Sequence, residues 1–390
     1  IAPAGPCQRA LLRAKDVKTT KIQGNTMLTA GDDYPIHQAA TPVAIAGTDR
    51  NFYDRFFFNG YSPDGSLFFG GAMGIYPHLN IIDAAFSVTD GVTQRSMFAS
   101  RNLNHERMDT RVGPITVKIE HPLQRVRLTV ADNESGISAD LVFTSRAAPI
   151  EEPRFTRTNG ARTLMDVTRM TQNGSYTGHL TIDGKRHDVA GWMGTRDRSW
   201  GVRPIGAPDT QPMLPPVPFQ FYWLWAPLNF PDHALFFHTN DDSTGAPWNR
   251  SALLVPLDGS APIHLSAPAS TLVFKPGTRH AASAQLTGMT PAGPVTVDLL
   301  IERTFFMHGI GYTHATRGHG MYQGEDSLAF ETFDVGPSVE AEMGNNHIQA
   351  LAAATLTLPD GRKVEGRGVL EQLIIGPHAP TGFKDIFDLA

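Results

Sequence analysis

Short β-prone runs closed by tight-turn dipeptides recur along nearly the whole chain, and they constrain the fold more than any other feature. The stretches FFFNGYSPDGSLFFGG, FSVTDGVTQRSMF, ITVKIEHPLQRVRLTVADNESGISADLVF and LTIDGKRHDVAGW each set Asp-Gly, Pro-Asp-Gly or Ser-Gly between apolar or alternating segments. These dipeptides supply the positive φ angles that hairpin turns need. Within ITVKI and RVRLTV the apolar residues alternate with polar ones, as in a strand with one buried face. Long amphipathic helical patterns are few, and 37 Gly with 29 Pro punctuate the chain. The pattern predicts an all-β meander closed as barrels or a sandwich.

An internal echo divides it. LTIDGKRHDVAGWMG (Leu180 to Gly194) and LTLPDGRKVEGRGVL (Leu356 to Leu370) share Leu-Thr, an Asp-Gly turn, basic residues, Val and Gly, about half a chain apart. Asp-Gly hairpins are common, so coincidence is the rival reading. The echo predicts two similar β-domains, each ending in this hairpin. The expected organisation is an N-terminal extension (1–50), a first barrel (51–203), a Pro-rich linker (204–218) and a second barrel (219–390).

Hydrophobic residues make up 41% of the 390, enough for a sizeable core, and the formal net charge of −5 argues against a nucleic-acid partner. One cysteine, Cys7, rules out an internal disulfide framework. The longest apolar runs, such as FQFYWLWAPLNF, are too short and too punctuated for a transmembrane helix. The N-terminus lacks the apolar core of a signal peptide, and a cytoplasmic location is expected. A homodimer is compatible with these features.

The stretch GTRDRSWGVRP, supported by GIYPHLNIIDAAFSV and GVLEQLIIGPH, resembles the AttH and carotenoid 1,2-hydratase (hydroxyneurosporene synthase) superfamily. Broader relatives of that group by fold include tocopherol cyclase and lipocalin-like Diels–Alderases. The resemblance extends over roughly Phe52 to Gly382. It implies two consecutive lipocalin-like β-barrels packed side by side. The activities it implies are various: water addition to an isoprenoid double bond, cyclisation, or none known.

In the charged strand, alternation puts Thr195, Asp197 and Ser199 on one face and Arg196, Arg198 and Trp200 on the other, unless a bulge at Gly194 or Gly201 shifts the phase. If Asp197 faces an apolar interior, desolvation raises its pKa and fits it to donate a proton. The competing expectation is structural: Asp197 pairs with Arg196, Arg198 or Arg203 and clamps the two barrels. The Gly-rich segment FFMHGIGYTHATRGHGMYQGE offers His314 and Tyr312, but its histidine spacings match no zinc pattern, and no metal is expected. His78, Tyr76, His238 and His347 border strongly apolar strands. Each such residue is more commonly a satisfied core or rim group than a catalyst. FQFYWLWAPLNF is apolar at both phases, so its strand is buried on both sides or lines a greasy cavity.

Nucleophile elbow, phosphate loop and dinucleotide fingerprint are all absent. The expectation is a cofactor-independent lyase, hydratase, isomerase or cyclase acting by acid–base chemistry on a terpenoid-, steroid- or aromatic-type small molecule. Asp197 is its acid and His314 or His78 its base. Tyr76, Trp192, Trp200, Tyr222, Trp223, Tyr312, His238 and His347 are the candidate substrate-binding residues. The alternative is a carrier for the same kind of hydrophobic ligand. A glycan site is disfavoured because no clear carboxylate pair is seen.

Overall fold

A computed structural model describes residues 29–390 apart from 46, 48, 212–215, 217 and 218. The expectations for Cys7, for the extension up to residue 28 and for those linker positions fall outside the described residues. The regular structure of the described chain is nearly all strand, in two curled antiparallel sheets, one a half-barrel and the other nearly closed.

From edge to edge the first sheet runs Ser327–Asp334, Thr93–Asn102, Ile81–Thr89, Phe68–Tyr76, Phe52–Tyr61, Trp192–Val202, Arg162–Ile182, Ile137–Ser145, Arg125–Val130, Ile115–His121 and Arg111–Val112. The second runs Ile263–His264, Pro247–Pro256, His233–Asp241, Phe221–Asn229, Lys363–Ile375, His347–Thr357, Gly293–Phe306, Ala281–Thr290 and Ser266–Phe274. In each half of the chain the first long strand lies beside the last, Phe52–Tyr61 with Trp192–Val202 and Phe221–Asn229 with Lys363–Ile375. The echoed hairpins lead into those two closing strands. At the first hairpin Asp183 and Gly184 have φ of 48° and 77°, the double left-handed pair that a two-residue β-turn requires. The edge strand Ser327–Asp334 comes from the second half of the chain yet pairs with Thr93–Asn102 of the first sheet.

The apolar residues form three main layers. Phe58, Phe69, Phe86 and Leu141 fill the first sheet's interior. Leu224, Leu228, Phe237 and Leu356 fill the second's. Between the sheets lies a third layer holding Tyr53, Phe57, Trp223, Trp225, Phe305 and Leu351. The strand Phe221–Asn229 therefore has two apolar phases because it is buried on both sides. Tyr222, Leu224 and Leu228 face inward, while Trp223 and Trp225 face the other sheet. Among the described residues no helix is long and apolar enough to cross a membrane.

Candidate functional site

The strand Trp192–Val202 pairs with both neighbours without a register shift, so the simple alternation holds. Asp197 lies beside Phe57 and Thr171, and Ser199 lies beside Arg55 and Arg169. Residues two apart share a face, so Arg55, Asp197 and Arg169 all point into the layer between the sheets. The second sheet meets them with its own row: Trp225 stands beside His238 and Glu371, Glu371 beside Gln349, and Leu373 beside His347. Charge and aromatic rings thus converge at the sheet interface rather than inside either barrel.

Arg169 is the central cation. Its Nε lies 3.8 Å from Asp197 Oδ2 and 4.0 Å from Glu152 Oε2, too far for a hydrogen bond to either. Its Cζ sits 4.7 Å over the Trp223 ring and 5.1 Å over Phe155. Glu152 accepts through Oε1 from Thr171 Oγ1 at 2.5 Å and Trp225 Nε1 at 3.2 Å. Glu371 accepts from Trp223 Nε1 at 3.1 Å, His347 Nε2 at 2.8 Å and Gln349 Nε2 at 2.8 Å. Asp197 Oδ1, Glu152 Oε2, Arg169 Nε, His238 Nδ1 and His347 Nδ1 are buried without a hydrogen-bond partner.

These environments drive the carboxyl groups apart. Burial lifts Asp197 to about 6; Arg169 opposes the rise, while Glu152 and Glu371 reinforce it. Burial also raises Glu152. Glu371 is held below the usual carboxylate range, because the hydrogen bond and charge of His347, with Gln349 and Arg169, outweigh its burial. Two carboxyl groups of opposite tendency in one dry layer are the arrangement from which an acid and an anion are made. His238 is driven down to about 3 by burial and stays neutral. Asn249 Nδ2 donates to the Pro153 carbonyl, so its Oδ1 accepts from His238 Nε2 at 3.0 Å.

The segment after Phe306 covers one end of the layer. Tyr312 packs on His347 with ring centroids 4.8 Å apart, and Arg55 Cζ lies 4.6 Å from its ring. His319 donates through Nε2 to the Ile310 carbonyl and accepts at Nδ1 from Arg203 Nη2 at 2.9 Å. Burial, with Arg55 and Arg203, keeps it uncharged. Tyr76 donates to Asp83 Oδ1 at 3.2 Å, and the Gly320 N–H donates to Asp83 Oδ2 at 2.8 Å. Asp83 is raised to about 6 by burial, against the pull of Arg55.

Asp197, Trp223, Tyr312, His238, His347 and Tyr76 therefore share the inter-sheet layer. The others do not join it. His314 has both ring nitrogens engaged, Nδ1 by the N–H groups of Thr316 and Arg317 and Nε2 by Glu331 at 3.0 Å. His78 sits on a short turn after Phe68–Tyr76 and borders a surface hollow of about 690 Å³ with Asn104 and His105. Trp192 is in the first sheet's interior, stacked near Phe69 at 6.3 Å. Tyr222 stacks on His378 at 3.9 Å, on the inner face of the second sheet. Trp200 is 39% exposed.

None of the arginines expected to clamp Asp197 does so. Arg196 faces the opposite side and donates to Gln172 Oε1 at 2.9 Å. Arg198 pairs with Asp54 at 2.7 Å, and Arg203 bonds His319. The cation near Asp197 is Arg169, 28 positions earlier, brought alongside by strand pairing. Asp83, five residues after His78, is a polar group in an apolar strand that the sequence already marks, whereas Glu152, Arg169, Glu371 and Arg55 are not among the residues that sequence reasoning picks out. The signal available was a charge in the middle of an apolar strand, as in FYDRFFFNG and VLEQLII. Among the described residues no three His, Cys, Asp or Glu side chains gather as a metal site would require.

Three solved structures align with this chain. A protein assigned as AttH from Nitrosomonas europaea aligns over 87% of this chain and 98% of its own, with 12% identity and a TM-score of 0.52. Kievitone hydratase from Nectria haematococca aligns over 89% and 95%, with 13% identity and a TM-score of 0.43. CghA with Sch210972 aligns over 83% and 89%, with 12% identity and a TM-score of 0.45. At 12% identity the likeness to the Nitrosomonas europaea protein is one of fold. No curated protein sequence matches. The fold is thus like that of the Nitrosomonas europaea protein, and the chain, matched over residues 28–384, belongs to a family of unknown function, DUF8625.

Proposed function

We propose that this protein is an enzyme in which Asp197 gives a proton to an apolar, ring-bearing small molecule held between the two sheets. The reaction class is proton addition or transfer at a double bond: hydration or its reverse, isomerisation, or cyclisation. The observation that carries the reading is Asp197 itself. It is 7% exposed, has one oxygen without a partner, and is raised to about 6. A carboxyl group so placed is poised to be an acid near neutral pH. Glu371, kept anionic by His347 and Gln349, is the group suited to receive a proton or stabilise developing positive charge. Trp223, Phe155 and Tyr312 supply aromatic walls, and a dry layer strengthens each electrostatic term. The chain's own side chains supply both acid and base, which suits a cofactor-independent reaction.

The test uses the protein's own ligand. Small molecules that co-purify are identified by native mass spectrometry and then incubated with fresh protein in deuterated buffer. Protonation at carbon leaves deuterium in the recovered molecule, whether it is hydrated, isomerised or cyclised. Wild-type protein should incorporate the label and Asp197→Asn should not. Tight binding with neither incorporation nor a change of mass by gain or loss of water would instead establish a carrier.

A further inference from the structure

Arg55 is 1% exposed, yet its Nε and Nη1 have no hydrogen-bond partner, and its Nη2 reaches only the Ile310 carbonyl oxygen at 3.4 Å. The Tyr312 ring beneath it favours the charge but leaves the N–H edge unused. A buried guanidinium with unpaired N–H groups is strongly unfavourable. Beside it is a cavity of about 30 Å³ whose wall includes Arg55, Asp83, Ser100, Gly311 and His319. That space suits roughly two water-sized bodies.

The wall is rich in donors. Ser100 is 3% exposed and its Oγ has no partner. Asp83 already accepts at both oxygens, from Tyr76 and Gly320. His319 has both nitrogens engaged, and Arg317 on the far wall is neutralised by Glu331. Gln323 and Ser327 also line the cavity, at its less buried side, but the wall atoms that are buried without a partner are Arg55 Nε, Arg55 Nη1 and Ser100 Oγ, and all three can donate. We propose that this cavity binds a monoanionic carboxylate group, seated on the N–H edge of Arg55 with Ser100 as a further donor. The planar fork of a guanidinium matches a carboxylate.

Binding should couple to protonation of Asp83. The groups that face it are Arg55, Tyr76, Arg203 and the uncharged His319. An incoming anion competes with the Asp83 carboxylate for Arg55, so the site takes up a proton as it fills.

Calorimetric titration with sodium formate at constant ionic strength tests the proposal. Saturable one-to-one binding is expected, roughly tenfold or more tighter at about pH 6 than at about pH 8. Ser100→Ala should weaken it several-fold with no change in melting midpoint, and Arg55→Gln should abolish it. Should Arg55→Gln fail to fold, Ser100→Ala decides alone. Phenylacetate, the same head on an apolar ring, separates two sources. Competition with formate marks the carboxylate of an apolar ligand; formate binding alone marks a free small anion. No saturable formate binding at either pH, or full affinity in every folded variant, overturns the site. Asp197→Asn should bind formate normally, so failure of the catalytic reading and failure of this one are distinguishable.

Discussion

Replacing Asp197 by asparagine should make the protein more stable and less active at the same time. The carboxyl group moves from an ordinary 3.8 to about 6 in the folded state. The folded state therefore holds the proton more tightly than the unfolded chain does. The favourable contribution is complete below about pH 4 and is lost as pH rises through about 6. A shift of about two units corresponds to about 3 kcal/mol, the cost wild-type protein carries above about pH 7. Asparagine cannot ionise and avoids that cost while keeping the shape. For 390 residues unfolding together, the unfolding entropy is about 0.8 kcal/mol per degree, so the midpoint should rise by about 4 °C near pH 7.5. Near pH 4 the two proteins should melt almost together. Deuterium incorporation should fall about a hundredfold or more, the usual contribution of a general acid. Calorimetric melting at both pH values, on the samples used for the incorporation assay, reads both effects. A variant that melts lower at neutral pH would refute the reasoning. Arg169 would then depend on the Asp197 charge as its counter-ion, the loss of a buried partner costing roughly 3–5 kcal/mol.

Glu371→Gln should behave in the opposite sense. The folded-state value is lowered, so the carboxylate stabilises at neutral pH; urea unfolding should show a loss of about 1–3 kcal/mol near pH 7 that shrinks as pH falls below about 4. An environment-sensitive apolar dye bound at the interface should quench emission from Trp223 and Trp225, and Trp223→Phe should reduce that quenching while Trp200→Phe should not. Limited proteolysis should cut within 203–219, and the fragments should co-elute until urea is added, because the strand Ser327–Asp334 pairs with the first sheet. Separation of the fragments in native buffer would contradict that pairing.

The strands were legible because turn chemistry and period-two alternation are local properties, as at Asp183-Gly184. The face that carries Asp197 followed from the same alternation, since no bulge interrupts Trp192–Val202. What alternation does not reveal is which face meets the other sheet. Trp192 and Trp200 share a strand with Asp197, but Trp192 packs into the first sheet's own interior and Trp200 is largely at the surface. Arg169, Glu152 and Glu371 reach the site through strand order and sheet packing, which join distant segments. Proximity in sequence pointed instead to Arg196, Arg198 and Arg203, each of which has another partner. The His-rich segment divided in the same way: His319 and Tyr312 turn toward the layer, while His314 is consumed in holding its own turn to Glu331.

The central claim is that Asp197 is a buried acid with a raised proton affinity between the two sheets. Carbon-detected NMR of protein labelled at the aspartate carboxyl carbons, with Asp197→Asn to assign the resonance, measures this directly. The titration midpoint should lie at about 6. A midpoint at or below the ordinary 3.8 would mean that Asp197 is held as a permanent anion by Arg169, and the acid would have to be sought elsewhere.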